Sequence, residues 1–156
     1  MNEPSLLPVA LLAHRQLHPY SCAVSGFECI AKLHGWIKPD AFPLQLDLSN
    51  QAKGFDDTKF LESFGVICSS PLLSASDAFN EITRMTAAGK YPLVVLFDKA
   101  VGYHAYVVAP GAIGPMLIDP AGPRIIESDP AKLKNLLISN SKANPQRSQI
   151  HVLTYQ

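Results

Sequence analysis

The chain has 156 residues, of which 47% are hydrophobic and 17% are charged, a composition typical of a globular protein rather than a disordered one. We therefore expect residues 1–156 to form a single domain. Lysine plus arginine and aspartate plus glutamate number 13 each, and this neutral balance argues against nucleic acid or an anionic membrane as the main partner. No apolar run reaches the ~18 residues of a membrane span.

The first residues are apolar but lack the pattern of a signal peptide. Glu3 precedes the apolar stretch 4–13, Pro8 interrupts it, and no Ala-x-Ala site follows. We predict an extended strand or arm of the mature protein. The expected location is the cytoplasm, or the outside of the cell after export by a route that reads no N-terminal signal.

A helix is predicted after Cys22, because apolar residues recur there at a spacing near 3.6 until Gly35, which supplies a C-cap. His34 is expected as an exposed residue at the end of this helix. The opposite, polar face of the helix would carry Ser25, Glu28 and Lys32.

Further helices are predicted over 57–64, from Ser74 to Gly89 and from Asp129 to Leu137. Strands are predicted over 66–70, 91–97, 103–109, 116–119 and 150–154, with 125–126 continuing the ribbon of 116–119. The short loop between 91–97 and 103–109 favours an antiparallel pair. Helices first and an antiparallel meander afterwards indicate an α+β fold.

Cys22 follows Pro19 and Ser21, so it is expected at the N-terminus of its helix, with Ser21 as the cap. A helix N-terminus or a protonated histidine activates a thiol as a nucleophile. Taken alone, such a cysteine is more often a small buried core residue. For Cys29 and Cys68 we prefer this interpretation as buried core residues. Three cysteines without a Cys-x-x-Cys pair fit neither a disulfide framework nor a zinc ribbon.

His104 opens an apolar strand, and it is the histidine best placed to act as a general base. Asp119 lies 15 residues later, where an antiparallel partner strand would bring it level with His104 to orient the ring. An Asp-Pro pair is also an ordinary turn signal. A metal site is less well supported, because the spacing of His18 and Cys22 has no second ligand pair beside it.

Gln16 lies six residues before Cys22. Its side-chain amide could donate to the oxyanion formed when a thiolate attacks a carbonyl, together with the backbone N–H of Cys22. A glutamine in a loop is more often simply solvated, so the offset from Cys22 is what makes Gln16 a candidate.

Together these residues resemble the papain-like bacteriocin-processing peptidases, which remove double-glycine leader peptides. The resemblance covers about 15–137 and rests on Gln16, Cys22 and its helix, and the segments 102–108 and 118–122. It implies a papain-like fold in which N-terminal helices pack on an antiparallel sheet. It also implies a catalytic set of Cys22 as nucleophile, His104 as base, Asp119 as orienting residue and Gln16 in the oxyanion hole.

Family members usually carry Asp-Cys-Gly at the nucleophile, whereas this chain has Ser21-Cys22-Ala23. Exporter peptidases of this type are fused to a transporter and an ATPase, and we expect this chain to be a stand-alone relative. The expected substrate is a peptide or protein, no cofactor or metal is called for, and an exporter or an immunity protein is a possible partner.

Two other functions are compatible with the same residues. One is a papain-like amidase acting on peptidoglycan stem peptides, or a secreted effector acting on a host or rival protein. The other is a non-catalytic peptide-binding module that kept the fold. All four catalytic positions are filled, which favours catalysis.

Overall fold

The computed structural model describes residues 17, 22–47, 58–100, 102–119 and 124–156. The predicted N-terminal arm, Gln16, His18 and Ser21 lie outside these ranges. The elements, in chain order, are α1 (Cys22–Leu33), α2 (Lys59–Glu62), β1 (Cys68–Ser69), β2 (Leu72–Leu73), α3 (Ala75–Ala87), β3 (Leu93–Asp98), β4 (Gly102–Pro110), β5 (Pro115–Asp119), β6 (Arg124–Glu127), α4 (Pro130–Ala143), a 3₁₀ turn (Pro145–Arg147) and β7 (Ile150–Tyr155).

The strands form one seven-stranded sheet in the order β1-β7-β3-β4-β5-β6, with β2 also pairing with β7. Every pairing is antiparallel. The predicted α+β class with an antiparallel sheet is confirmed, and so is the pairing of β3 with β4. The sequence did not predict that β7 would lie inside the sheet, between β1 and β3.

Strand β2 was not predicted, and helix α4 is longer than predicted. The short strand β2 follows Pro71 directly. Its two residues are too few to show the alternation of apolar and polar side chains by which a strand is predicted from sequence. Helix α4 continues past Leu137, beyond its last buried apolar residue. In this last part, the side-chain amide of Asn140 donates to the carbonyl of Phe97 over 2.9 Å, so a hydrogen bond to β3 replaces apolar burial there.

Hydrophobic cores lie on both faces of the sheet, because successive strand residues point to opposite sides. Helix α1 packs on one face, in a cluster that includes Phe27, Ile30, Val107, Ile118 and Leu153. Helices α3 and α4 pack on the other face, in a cluster that includes Ile82, Val94, Leu133, Leu137 and Val152. The sheet is therefore covered by α1 on one side and by α3 and α4 on the other.

Two glycines fix the position of α1. A Cβ atom on Gly26 would overlap the Leu93 side chain, so the helix can lie this close to β3 only because Gly26 has no side chain. At the other end, Gly35 has a φ of 74°, and its N–H donates to Lys32 O over 3.0 Å while Trp36 N–H donates to Ala31 O over 2.8 Å. These are the two hydrogen bonds of a Schellman cap, as the sequence predicted.

The polar face of α1 is buried as well as the apolar one. Ser25, Glu28 and Lys32 are all buried, because the loop after α1 folds back over them. Glu28 accepts from Leu44 N over 2.7 Å, from Gln45 N over 3.2 Å and from Gln45 Nε2 over 2.7 Å. Burial raises the pKa of the Glu28 carboxyl, and these donated hydrogen bonds oppose that rise.

Lys32 and His34 are buried or half-buried by aromatic neighbours. The ammonium of Lys32 lies 3.7 Å from the centre of the Phe42 ring, a cation–π contact. His34 was expected to be exposed, but its Nε2 lies 2.7 Å from the Tyr155 hydroxyl and its ring stacks on Trp36 at 4.3 Å. Burial, assisted by the positive charge of Lys90, lowers the pKa of His34 to about 4.

Among the residues that the structure describes, no helix combines the length and apolarity needed to cross a membrane.

Replacing Glu28 by alanine should destabilise the fold, because two buried donors on Gln45 and the part-buried N–H of Leu44 lose their acceptor. Each unsatisfied buried donor costs about 1–3 kcal/mol, so we expect Glu28→Ala to lower the free energy of unfolding by about 3 kcal/mol, measured by urea denaturation. The matched control is Glu81→Ala, which removes a surface carboxylate paired with exposed Arg84 and should cost less than about 1 kcal/mol. Equal effects of the two variants would contradict this role of Glu28.

Candidate active site

Cys22 is the first residue of α1 and is half-buried against the core that α1 forms with the sheet. The other two cysteines have different environments. Cys29 is fully buried, as the sequence predicted, and burial raises the pKa of its thiol to about 12. Cys68 is half-buried, and burial followed by the charge of Glu62 raises the pKa of its thiol. Cys22 alone of the three stands at a helix N-terminus.

His104 lies near the start of β4 and Asp119 is the last residue of β5. His104 Nε2 and Asp119 Oδ1 are 2.7 Å apart. Since a carboxylate oxygen accepts hydrogen bonds, Nε2 carries the proton and donates it to Asp119. The exposed fraction of the side chain is 19% for His104 and 6% for Asp119, so the pair is sheltered from bulk water but open to a small reactant.

A second hydrogen bond joins the His104 side chain to that of Cys22. Since Nε2 is engaged by Asp119, Nδ1 is the ring nitrogen left for the thiol. The hydrogen bond with Cys22 is the largest influence on the His104 pKa and raises it; burial lowers it, and Asp119 raises it further. The net result is a raised pKa, which favours the protonated imidazole.

The strand geometry accounts for the meeting of β4 and β5 residues. The register of β5 on β4 begins at the pair Val107 and Ile118, so Asp119 lies just past this pair, on the side towards His104. Tyr106 shares a face of β4 with His104, two residues away. Its ring meets the imidazole edge-on with centres 4.9 Å apart. Alternation along the strand could have pointed to Tyr106, which the sequence analysis missed.

The described residue nearest to Gln16 in sequence is Leu17, and its backbone N–H donates to Gln45 Oε1 over 2.7 Å. The other end of the same amide donates to Glu28. Leu17 is thus linked through Gln45 to Glu28 on α1. Sequence analysis missed Gln45 because a glutamine in a loop carries no periodic signal.

Of the four residues proposed from sequence, the structure brings Cys22, His104 and Asp119 into one hydrogen-bonded set, while Gln16 lies outside the described ranges. The thiol stands on one side of the imidazole and the carboxylate on the other. Chemically, such a set can move a proton between sulfur and Nδ1 while the carboxylate holds the ring in one tautomer and orientation.

Comparisons with known proteins leave the family open. No protein-family model matches the chain, and no curated protein matches it. Among solved structures, the crystal structure of the Pseudomonas avirulence protein AvrPphB is similar, with a TM-score of 0.43 and 16% sequence identity over 85% of this chain and 72% of that chain. A likeness of this degree identifies neither a family nor an activity, so the function has to be argued from the site residues.

An NMR titration of the His104 ring should give a pKa above the ordinary value of 6.5. Asp119→Asn keeps an oxygen that can accept from Nε2 but removes the charge, so the His104 pKa should fall in this variant. Cys22→Ala should lower it as well. A His104 pKa at or below 6.5 in the unaltered protein would contradict the hydrogen-bonded set.

The raised pKa of His104 also makes the stability of the fold depend on pH, with greater stability at low pH. Because the folded-state pKa of His104 is raised above 6.5, its contribution is fully present below pH 6.5 and is lost as the pH rises through the folded-state value. Unfolding free energies measured at about pH 6 and about pH 8 should therefore differ less in Asp119→Asn than in the unaltered protein.

Proposed function

We propose that this protein is a papain-like cysteine peptidase that hydrolyses a peptide amide bond through a thioester on Cys22. The observation that carries the proposal is the arrangement around one imidazole. His104 bonds Asp119 at 2.7 Å and also bonds Cys22, which starts a helix. A thiol, a base and an orienting carboxylate in this order are the parts that nucleophilic catalysis needs.

In the proposed acylation step, the Cys22 proton moves to His104 Nδ1 and the sulfur attacks the carbonyl carbon of the substrate. The carbonyl oxygen becomes an oxyanion, to which the Cys22 N–H and the Gln16 side-chain amide would donate. The imidazolium then gives its proton to the leaving nitrogen, the C–N bond breaks, and a thioester and a free amine remain.

In the proposed deacylation step, His104 takes a proton from water, whose oxygen attacks the thioester carbonyl. The C–S bond breaks, the acid product leaves, and the proton on the ring returns to sulfur. Asp119 accepts from Nε2–H throughout, which keeps Nδ1 facing the thiol and stabilises the imidazolium.

The finer proposal is a stand-alone relative of the double-glycine leader peptidases. It rests on the resemblance carried by Gln16, Cys22, His104 and Asp119. Incubation with peptides that contain a double-glycine site, in parallel with muropeptides, tests it. Cleavage of muropeptides alone would replace the peptidase by the amidase, with the catalytic set unchanged.

Alkylation by iodoacetamide at neutral pH tests the nucleophile directly, with the two other cysteines as internal controls. Cys22 should be modified first, because it bonds His104 at a helix N-terminus, whereas burial protects Cys29 and disfavours the thiolate of Cys68. Peptide mapping by mass spectrometry gives the rate at each site. His104→Ala should slow modification of Cys22 and leave Cys68 unchanged.

Activity separates the enzyme from a non-catalytic peptide-binding module. Cys22→Ala should abolish hydrolysis, and Gln16→Ala should lower kcat by about 100-fold, the usual cost of one oxyanion donor. Hydrolysis that survives Cys22→Ala would overturn the nucleophile assignment. If Cys22 is alkylated no faster than Cys68 and no peptide is cleaved, the binding module becomes the better explanation.

A further inference from the structure

Tyr106 is an aromatic neighbour of the proposed base, and the proposed catalytic steps do not use it. It follows His104 by two residues on β4, so both side chains belong to the same row of the strand. Their ring centres are 4.9 Å apart and the ring planes stand at 86°. This is the edge-to-face arrangement in which aromatic rings attract one another. The imidazole therefore has a third neighbour besides Cys22 and Asp119.

The Tyr106 side chain is anchored in the core that α3 and α4 cover. It packs against the cluster of buried residues on that face of the sheet, to which Val94 belongs. Val94 is also its partner on β3. Where the pairing of Val107 with Ile118 ends, the next residues along the two strands are Tyr106 and Asp119. The tyrosine is thus in contact with both the core and the imidazole, at the level of the orienting carboxylate.

The His104 ring needs support because both of its hydrogen bonds depend on one orientation. Nε2 bonds Asp119 over 2.7 Å, and the side chain also bonds Cys22. Half a turn about the Cβ–Cγ bond would put ring carbons where the two nitrogens stand and would break both hydrogen bonds. This torsion is broad and roughly two-fold in histidine, so the backbone of β4 does not choose between the two orientations. The neighbours of the ring therefore decide it.

The bond with Cys22 is absent for part of the proposed reaction, because the sulfur of the thioester has no proton to share. Among the described residues, Cys22 and Asp119 are the titratable groups that act on the pKa of His104. The partner of His104 on β3, Leu96, is apolar. In the thioester stage Asp119 fixes the position of Nε2. The plane of the ring then depends on packing, and the contact with Tyr106 supplies it.

We propose that Tyr106 is a positioning residue of this site, whose ring, held by the core under α3 and α4, keeps the His104 imidazole facing both Cys22 and Asp119. The edge-to-face contact assigns this role to the ring of Tyr106 and not to its hydroxyl. In catalysis the role rests on the proposed peptidase function, whereas the orientation of the imidazole can be measured without a substrate.

Three variants test the proposal, by NMR titration of the His104 ring and by the rate at which iodoacetamide modifies Cys22. Tyr106→Leu keeps an apolar side chain in the core but removes the ring, and Tyr106→Phe removes only the hydroxyl. Val108→Ala is the matched control. Val108 is fully buried in the same cluster, but it lies four residues from His104, about 13 Å along the strand.

We expect Tyr106→Leu to lower the pKa of His104 towards 6.5, because fewer molecules then hold the ring in the orientation that makes both hydrogen bonds. Modification of Cys22 should slow by about fivefold, the usual worth of one edge-to-face contact expressed as a rate ratio, while that of Cys68 stays the same. For a cleaved peptide, kcat should fall by a similar factor at unchanged KM. Tyr106→Phe should resemble the unaltered protein. Val108→Ala should lower the free energy of unfolding and change neither the His104 pKa nor the Cys22 rate.

A second measurement decides the case in which Tyr106→Leu fails to fold. In Cys22→Ala protein the bond to sulfur is missing, as it is in the thioester. The His104 ring should still show nuclear Overhauser contacts with the Tyr106 ring, and Nε2 should still carry the proton that it donates to Asp119. Loss of these contacts on removal of the thiol would overturn the proposal.

The proposal also fails if folded Tyr106→Leu leaves both the His104 pKa and the Cys22 rate unchanged. It fails as well if Tyr106→Phe has the same effect as Tyr106→Leu, or if Val108→Ala lowers the pKa as much. With hydrolysis by the unaltered protein observed, such a failure leaves the peptidase function standing. An imidazole that depends on Tyr106 in a protein that cleaves no peptide has the opposite meaning, since it keeps the positioning role and removes the enzyme.

Discussion

The close packing of α1 on the sheet at Gly26 is the constraint on which the site depends. A side chain at this position would overlap the end of the Leu93 side chain, so either Leu93 or the helix would have to shift. The helix begins one turn before Gly26, a rise of about 6 Å, at Cys22, whose side chain bonds His104. The meeting of thiol and imidazole therefore depends on packing in the core, one helical turn from Cys22.

Glu28 on α1 and His104 on β4 both have raised pKa values, and the causes of the two shifts differ. For Glu28 the main cause is burial, and its acceptor capacity is used by the loop that covers the helix. For His104 the main cause is the hydrogen bond with Cys22, while burial acts in the opposite direction. A perturbed pKa alone would have marked both residues as functional. The partners show that Glu28 holds the structure together and that His104 faces a nucleophile.

Much of the fold could be predicted because its longer elements bury apolar residues with a clear period. Helix α1 and strands β3 and β4 are of this kind. The burial of Glu28 could not be predicted, since a polar helix face has the same spacing under a loop as in water. The predicted exposure of His34 was wrong for a related reason. One of its aromatic neighbours, Trp36, is close in sequence, but the other, Tyr155, comes from the far end of the chain. Cys22, His104 and Asp119 could be predicted as site residues from their positions relative to the predicted helix and strands. Gln45 could not, because a glutamine in a loop belongs to no periodic pattern.

The alternation of β4 divides two successive residues between two tasks. Ala105 points into the core beneath α1, whereas His104 belongs to the other row of side chains and reaches Asp119. A shift of one residue in register would exchange the two. The register of β4 on β3 therefore fixes the position of the proposed base, and it is held by buried pairs such as Leu93 with Val107. In the proposed enzyme, the imidazole thus rests on a rigid support, which suits chemistry that depends on where the reacting atoms lie relative to one another.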